Sequence, residues 1–196
     1  MRKLYGVGTN DASYVVHTTE KIDGKQKTTW ICPFYSRWDN LLKRCYSEAI
    51  LRSRPTYRGC CVCDDWLLFT NFKEWMTQQV WESQHLDKDL LIAGNKIYSP
   101  DTCVFIHPTV NVFTTDRVNF RGKHLLGVSW YGRYNKFRAS CSNPFTKKQE
   151  TLGYFDTELE AHLAWKSRKH ELACMLADSD LVTDERVAQA LRTRYL

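Results

Sequence analysis

The sequence predicts an α+β protein: a helical N-terminal part containing a small strand–helix unit, then a three-stranded antiparallel sheet packed on one helix. Three observations carry this. Two stretches, about Tyr35–Ala49 and Asp64–Trp81, repeat apolar residues at helical spacing. Three short strand-like runs, Gly127–Trp130, Lys136–Asn143 and Thr151–Phe155, follow one another with polar turns between them. One long helical stretch, about Glu158 to Leu176, comes directly after them. With 43% hydrophobic residues and seven Trp in 196, the chain can bury a core and is not globally disordered.

The first 33 residues read as extended segments joined by turns. Ser13–Thr18 and Lys27–Ile31 have strand-like content, with the turn signal Asp23-Gly24 between them. The helix that follows has Trp38, Leu41, Leu42, Cys45 and Ala49 on one face, and Ser36 with Asp39 resembles a start signal. Arg52–Gly59, with Pro55 inside it, reads as a loop. In the second helical region Asn71 and Glu74 give an internal capping signal, and Asp64 and Asp65 suit its N-terminus. Its expected buried stripe is Leu68, Phe72, Trp75, Met76 and Val80.

A compact unit comes next. Gln84–Leu91 alternates like a strand, Ala93-Gly94-Asn95 turns, Lys96–Tyr98 begins a return, and Cys103–Ile106 is extended. Pro108 is placed to open a short helix through Thr115. Beyond the basic segment Asp116–His124 come the three strands. Thr157 and Glu160 form a capping box for the long helix, which shows Ala161, Ala164, Trp165, Leu172, Met175 and Leu176 on one face. A last short helix spans about Asp184–Arg194.

Charge is concentrated towards the C-terminus. Residues 1–116 hold 14 basic and 13 acidic groups, a balance of +1, whereas residues 117–196 hold 14 and 9, a balance of +5. From Arg117 to Lys148 there are eight Lys or Arg and no Asp or Glu, with Phe120, Trp130, Tyr131, Tyr134, Phe137 and Phe145 interleaved. A uniformly positive surface carrying flat side chains suits a polyphosphate backbone. A solvated basic face without a partner is the plainer alternative. No apolar run approaches the ~20 residues of a membrane span, and the N-terminus lacks the apolar segment of a secretory signal, so a cytoplasmic protein is expected. The eight cysteines then read as buried small hydrophobes. Cys60 and Cys63 have zinc-ligand spacing, but a second close pair is missing, although Cys45 and Cys103 could converge on them. Core packing is favoured over structural Zn²⁺.

Gly127-Val128-Ser129-Trp130, Lys136-Phe137-Arg138-Ala139 and Leu152-Gly153-Tyr154-Phe155-Asp156-Thr157, with Glu160-Ala161, resemble the AP2 DNA-binding domain over about 50 residues. Phe137 stands where a Trp is usual, and Asn143–Lys148 is a longer loop. The resemblance implies a sheet that leaves one face open to duplex DNA. Trp130, Arg133, Lys136 and Arg138 are expected on that face, with Lys147 and Lys148 beside it and Arg117, Arg121 and Lys123 tracking the backbone.

Residues 34–116 resemble phage HNH homing endonucleases. The likeness rests on Trp38-Asp39-Asn40-Leu41-Leu42-Lys43-Arg44-Cys45-Tyr46, Pro55-Thr56-Tyr57 with Trp66, Leu86-Asp87-Lys88-Asp89, and Gly94 through Phe105. An AP2 domain behind such a unit is a known pairing in that group. The resemblance implies a ββα-metal fold in which Asp87 and Asn111 bind one Mg²⁺ or Mn²⁺. The family's general-base His is replaced by Lys88, and a lysine between two carboxylates cannot readily take a proton from water. Three readings stay open: His85, on the same strand face as Asp87, is the base; His107 is the base; or the site lacks a base and the protein only binds DNA. Lys88 or Asn95 would steady the phosphate.

The expected organisation is 1–33, an extended segment; 34–116, the HNH-like unit; 117–124, a basic linker; 125–178, the AP2-like domain; and 179–196, a final helix. The expected function is metal-dependent cleavage of double-stranded DNA. A non-catalytic DNA-binding or regulatory protein on the same scaffold is the alternative, and RNA binding by the basic-aromatic sheet is a third.

Overall fold

A computed structural model describes residues 3–115 and 123–196. It is a mixed α+β protein with several small sheets. The chain divides into two compact units, Met1–Glu82 with Ile92–Phe105, and Ser83–Leu91 with Ile106–Leu196. No helix among the described residues is long and apolar enough to cross a membrane.

In the first unit, β1 (His17–Ile22) and β2 (Lys25–Ile31) form an antiparallel hairpin whose residues are all exposed. Asp23 (φ +53°) and Gly24 (φ +76°) make its two-residue turn, a backbone shape that Asp-Gly adopts with little strain. α1 (Pro33–Tyr46) starts on Pro33, earlier than the Ser36 signal suggests, and buries Tyr35, Trp38, Leu41, Leu42 and Cys45. It stops short of Ala49 because Ser47 is extended; α2 (Glu48–Ser53) then restarts the helix, and Pro55–Tyr57 forms a 3-10 turn where a loop was expected.

The expected Asp64–Trp81 helix is also divided. Asp64–Leu67 is a 3-10 turn, Leu68 is extended, and α3 covers Phe69–Thr77. The cause is a distant segment. Thr9 takes both backbone bonds at the break, donating to Leu67 O (2.8 Å) and accepting from Phe69 N (3.1 Å). Asp11 Oδ1 accepts from Thr70 N at 2.9 Å, so the first turn of α3 is capped by Asp11 rather than by an Asn71–Glu74 pair. Phe69, Phe72 and Met76 are buried, while Val80 lies beyond the helix and is 63% exposed. At the centre, Trp38 is fully buried and its Nε1 donates to Trp66 O at 2.7 Å, satisfying the indole. β3 (Cys61–Val62) pairs with the later segment Ile97–Tyr98 in parallel, so that segment is not simply the return limb of a hairpin.

Next in chain order are β4 (His85–Asp87), β5 (Ile97–Tyr98), β6 (Val104–Ile106) and α4 (Pro108–Thr114). β4 is shorter than the expected Gln84–Leu91 because Asp87 Oδ1 accepts from the backbone N–H groups of Asp89 (2.9 Å) and Leu90 (2.7 Å), turning the chain.

The second unit holds the sheet β7 (Val128–Tyr131), β8 (Lys136–Ser142) and β9 (Gln149–Phe155), in that order and antiparallel, followed by α5 (Glu158–Ala177) and α6 (Glu185–Thr193). The capping box forms: Glu160 N donates to Thr157 Oγ1 (3.2 Å) and Thr157 N to Glu160 Oε2 (3.1 Å). α5 buries Ala161, Trp165, Leu172 and Leu176, whereas Met175 is 51% exposed and the cationic Lys169 is buried in its place. The Lys169 amine is held by α4: Nζ donates to Phe113 O at 2.7 Å and lies 3.5 Å from the Phe113 ring centroid. Arg194 Nη2 donates to Thr114 O at 3.2 Å, so two cations meet the C-terminal carbonyls of α4.

Candidate functional site

The β4–α4 region gathers most of the sequence-predicted chemistry. Alternation along β4 puts His85 and Asp87 on one face. On α4, Val110, Phe113 and Thr114 face inward, leaving Asn111 half-buried at the helix margin. Its Nδ2 donates to His85 Nδ1 at 2.8 Å, across 26 positions of sequence. His107 is engaged elsewhere, because its Nδ1 accepts from Thr109 N at 3.1 Å and caps α4. Of the two candidate bases, His85 is the one placed beside Asn111.

Asp87 is half-buried, and its carboxyl is pushed above the usual carboxylate range, first by burial and then by the negative charge of Asp89. Lys88 is only 7% exposed, and its Nζ lies 3.1 Å from Asp89 Oδ2. The lysine therefore neutralises its neighbour instead of standing free in solvent. Asn95 belongs to the first unit, where its Nδ2 donates to Ile97 O (2.7 Å) and its Oδ1 accepts from Ile97 N (3.1 Å).

Among the described residues no group of three or more His, Cys, Asp or Glu side chains could hold a metal. What β4, the turn after it and α4 offer is sparser: the carboxyls of Asp87 and Asp89, the Asn111 amide and the His85 ring. Mg²⁺ and Mn²⁺ accept such oxygen-rich sets and complete their shells with water. Cys45, Cys60 and Cys103 are buried, and Cys61 is exposed.

The sheet shows how register assigns faces. Val128 pairs with Ala139, Trp130 with Phe137, and Cys141 with Glu150. Ala139 and Cys141 are buried on the α5 side, so Trp130 shares that side with them and packs edge-on against Phe137 at 5.0 Å. This corrects the expectation that Trp130 lies with Lys136 and Arg138 on the open face; it is 47% exposed, but on the other surface. The open face carries Ser129, Tyr131, Lys136, Arg138 and Tyr154. Arg138 Nε donates to Ser129 Oγ (3.3 Å) and its guanidinium lies 5.7 Å from the Tyr131 ring. Lys136 pairs with Asp156 at 3.1 Å.

Tyr131, Tyr134 and Tyr154 form a ring cluster with centroids 4.7–5.1 Å apart, and the Arg133 guanidinium is 5.9 Å from Tyr134. Sequence reasoning did not single out this cluster, although alternation on three strands held the signal. Lys147 and Lys148 sit in a loop closed by Asn143, whose Oδ1 accepts from Phe145 N (2.9 Å) and Thr146 N (3.1 Å). Asn143 also donates to Glu150 (2.7 Å), which receives Arg168 at 2.8 Å; these bonds hold the Glu150 carboxyl down at about 2. A cleft of about 950 Å³ along this part of the unit is lined by His124, Arg138, Lys147 and Lys169, with no carboxylate among its described lining residues. Lys123 is exposed; Arg117 and Arg121 lie outside the described residues.

No protein-family model, curated protein or solved structure matches the chain.

Proposed function

We propose that this protein is a metal-dependent DNA endonuclease whose C-terminal sheet holds the duplex. The observation that carries the reading is the meeting of His85 with Asn111, two residues singled out for one reaction and separated by 26 positions. Asp87 and Asn111 would hold Mg²⁺ or Mn²⁺, which when bound neutralises charge on the scissile phosphate.

The chain's own groups do the rest. Rotating the Asn111 amide by half a turn presents Oδ1 to the ring, so that His85 Nδ1–H donates to it. Nε2 is then the nitrogen that accepts a proton from water. The second lone pair of Oδ1 stays available to a cation. Lys88, held on Asp89, contributes positive charge beside Asp87 without acting as a base. On the C-terminal sheet and its loops Arg138, Arg133, Lys147 and Lys148 supply contacts to phosphates and base edges, with Arg117, Arg121 and Lys123 preceding them in sequence.

A second reading is a non-catalytic DNA-binding protein on the same scaffold. It is favoured by the two backbone N–H groups already bonded to Asp87 Oδ1. Plasmid nicking in Mg²⁺ or Mn²⁺ decides between them. Cleavage that disappears in Asp87→Ala, Asn111→Ala and His85→Ala, while duplex binding persists, is the expected result. Tight duplex binding with no cleavage in either metal establishes the second reading. Preference for structured RNA over duplex DNA in direct competition defeats both.

A further inference from the structure

The near-neutral sum over residues 1–116 hides a strongly polarised stretch. Between Lys43 and Arg58 there are five basic residues, Lys43, Arg44, Arg52, Arg54 and Arg58, against the single acid Glu48. Arg44, Arg54 and Arg58 meet around the Pro55–Tyr57 turn of the first unit, with Arg52 in the helix just before it. Arg54 ends α2, its N–H bonded to Ile50 O at 2.7 Å, and Arg58 N donates to Pro55 O at 3.0 Å, so the two arginines bracket the Pro55–Tyr57 turn. Lys96 arrives from 40 positions away and donates from Nζ to Thr56 O, on that same turn, at 3.0 Å. The Arg44 guanidinium lies 6.0 Å from the Tyr57 ring centroid.

Arg52, Arg54, Arg58 and Lys96 are exposed. Among the described residues no ion pair engages Arg52, Arg54 or Arg58, whereas Lys136, Arg168, Arg186 and Arg192 of the second unit each hold a carboxylate. Among the described residues, then, no carboxylate pairs with the arginines at this corner. We propose that the α2–turn corner is a second contact surface for the phosphate backbone of duplex DNA, separate from the sheet. The inference rests on the DNA-binding reading above and adds a contact made by the N-terminal unit.

The chemistry favours a polyphosphate over an acidic protein. Guanidinium forks match phosphate oxygens, and a duplex presents one charge per ~1.7 Å of helix axis to a row of cations. A protein partner would need a desolvated apolar anchor, and the turn between the arginines offers only Pro55, Thr56 and the partly covered Tyr57.

The test is binding of the full chain to a fluorescent duplex across a salt series. Each phosphate contact contributes about 0.9 to the slope of log K against log salt, so the triple variant R52Q/R54Q/R58Q should lose about 2.7 from it. The triple Lys variant, which keeps the charge, should retain the wild-type slope. An unchanged slope and affinity in the Gln variant, while Arg138→Gln weakens binding, overturns this surface and leaves the sheet reading intact. Loss of structured-RNA binding without loss of duplex binding in the Gln variant also overturns it. If the wild type binds no duplex at all, the underlying DNA-binding reading falls and this inference with it.

Discussion

Gly127, the residue before β7, lies against Trp165 of α5, and replacing it with Ala gives a sharp test of that packing. Its φ is +76°, and a Cβ there would lie 2.0 Å from Trp165 Cγ and 2.1 Å from Cδ1. Trp165 cannot easily retreat: it is buried, stacked on His162 with centroids 5.4 Å apart, and set edge-on to Tyr195 at 6.2 Å. The left-handed backbone costs an L-residue roughly 1–2 kcal/mol, and overpacking a filled core roughly 1–3 kcal/mol. Gly127→Ala should therefore lose about 2–5 kcal/mol. Gly59 has the same φ, +76°, but nothing within 4 Å of the added Cβ, so Gly59→Ala isolates the backbone part, about 1–2 kcal/mol. Urea unfolding of both variants, followed by circular dichroism, measures the difference. A Gly127→Ala loss no larger than that of Gly59→Ala would refute the reasoning, because Trp165 would then have moved without cost.

Two further predictions concern carboxyl groups whose environments push in opposite directions. Glu150 is held at about 2 by Arg168 and Asn143, so it stabilises the fold above its unfolded value near 4.5, and that contribution is lost as pH falls towards about 2. Glu150→Gln should be less stable than the wild type at pH 7, with the gap closing in acid, as thermal midpoints across pH will record. Asp87 is raised, so the folded state binds its proton more tightly than the unfolded state, and stability declines as pH climbs through the unfolded value to the folded one. Asp87→Asn, which keeps an acceptor for Asp89 N and Leu90 N, should melt higher than the wild type at pH 7 without metal and equally in acid. Mg²⁺ should raise the midpoint of the wild type and leave that of Asp87→Asn unchanged; a metal shift of equal size in both removes Asp87 from the proposed cation site.

Local features of the chain were legible because their causes are local. Pro108 opens a helix, Asp23-Gly24 turns the hairpin, and Thr157 with Glu160 caps α5, each through bonds made within a few residues. The three-strand order and the basic C-terminal stretch followed from alternation and charge. Other features were set by partners far along the chain. Thr9 and Asp11 divide the second helical region and cap α3, which no window around Asn71 could reveal. The side of the sheet that Trp130 takes depends on pairing parity, and one step of register reverses it. Likewise His85 and His107 are equivalent by residue type; only packing of α4 seats one beside Asn111 and commits the other to a helix N-terminus. Composition and periodicity thus determined the elements and their charge. Folding decided which side chains share a site, because that choice rests on contacts between segments whose separation in sequence carries no local signal.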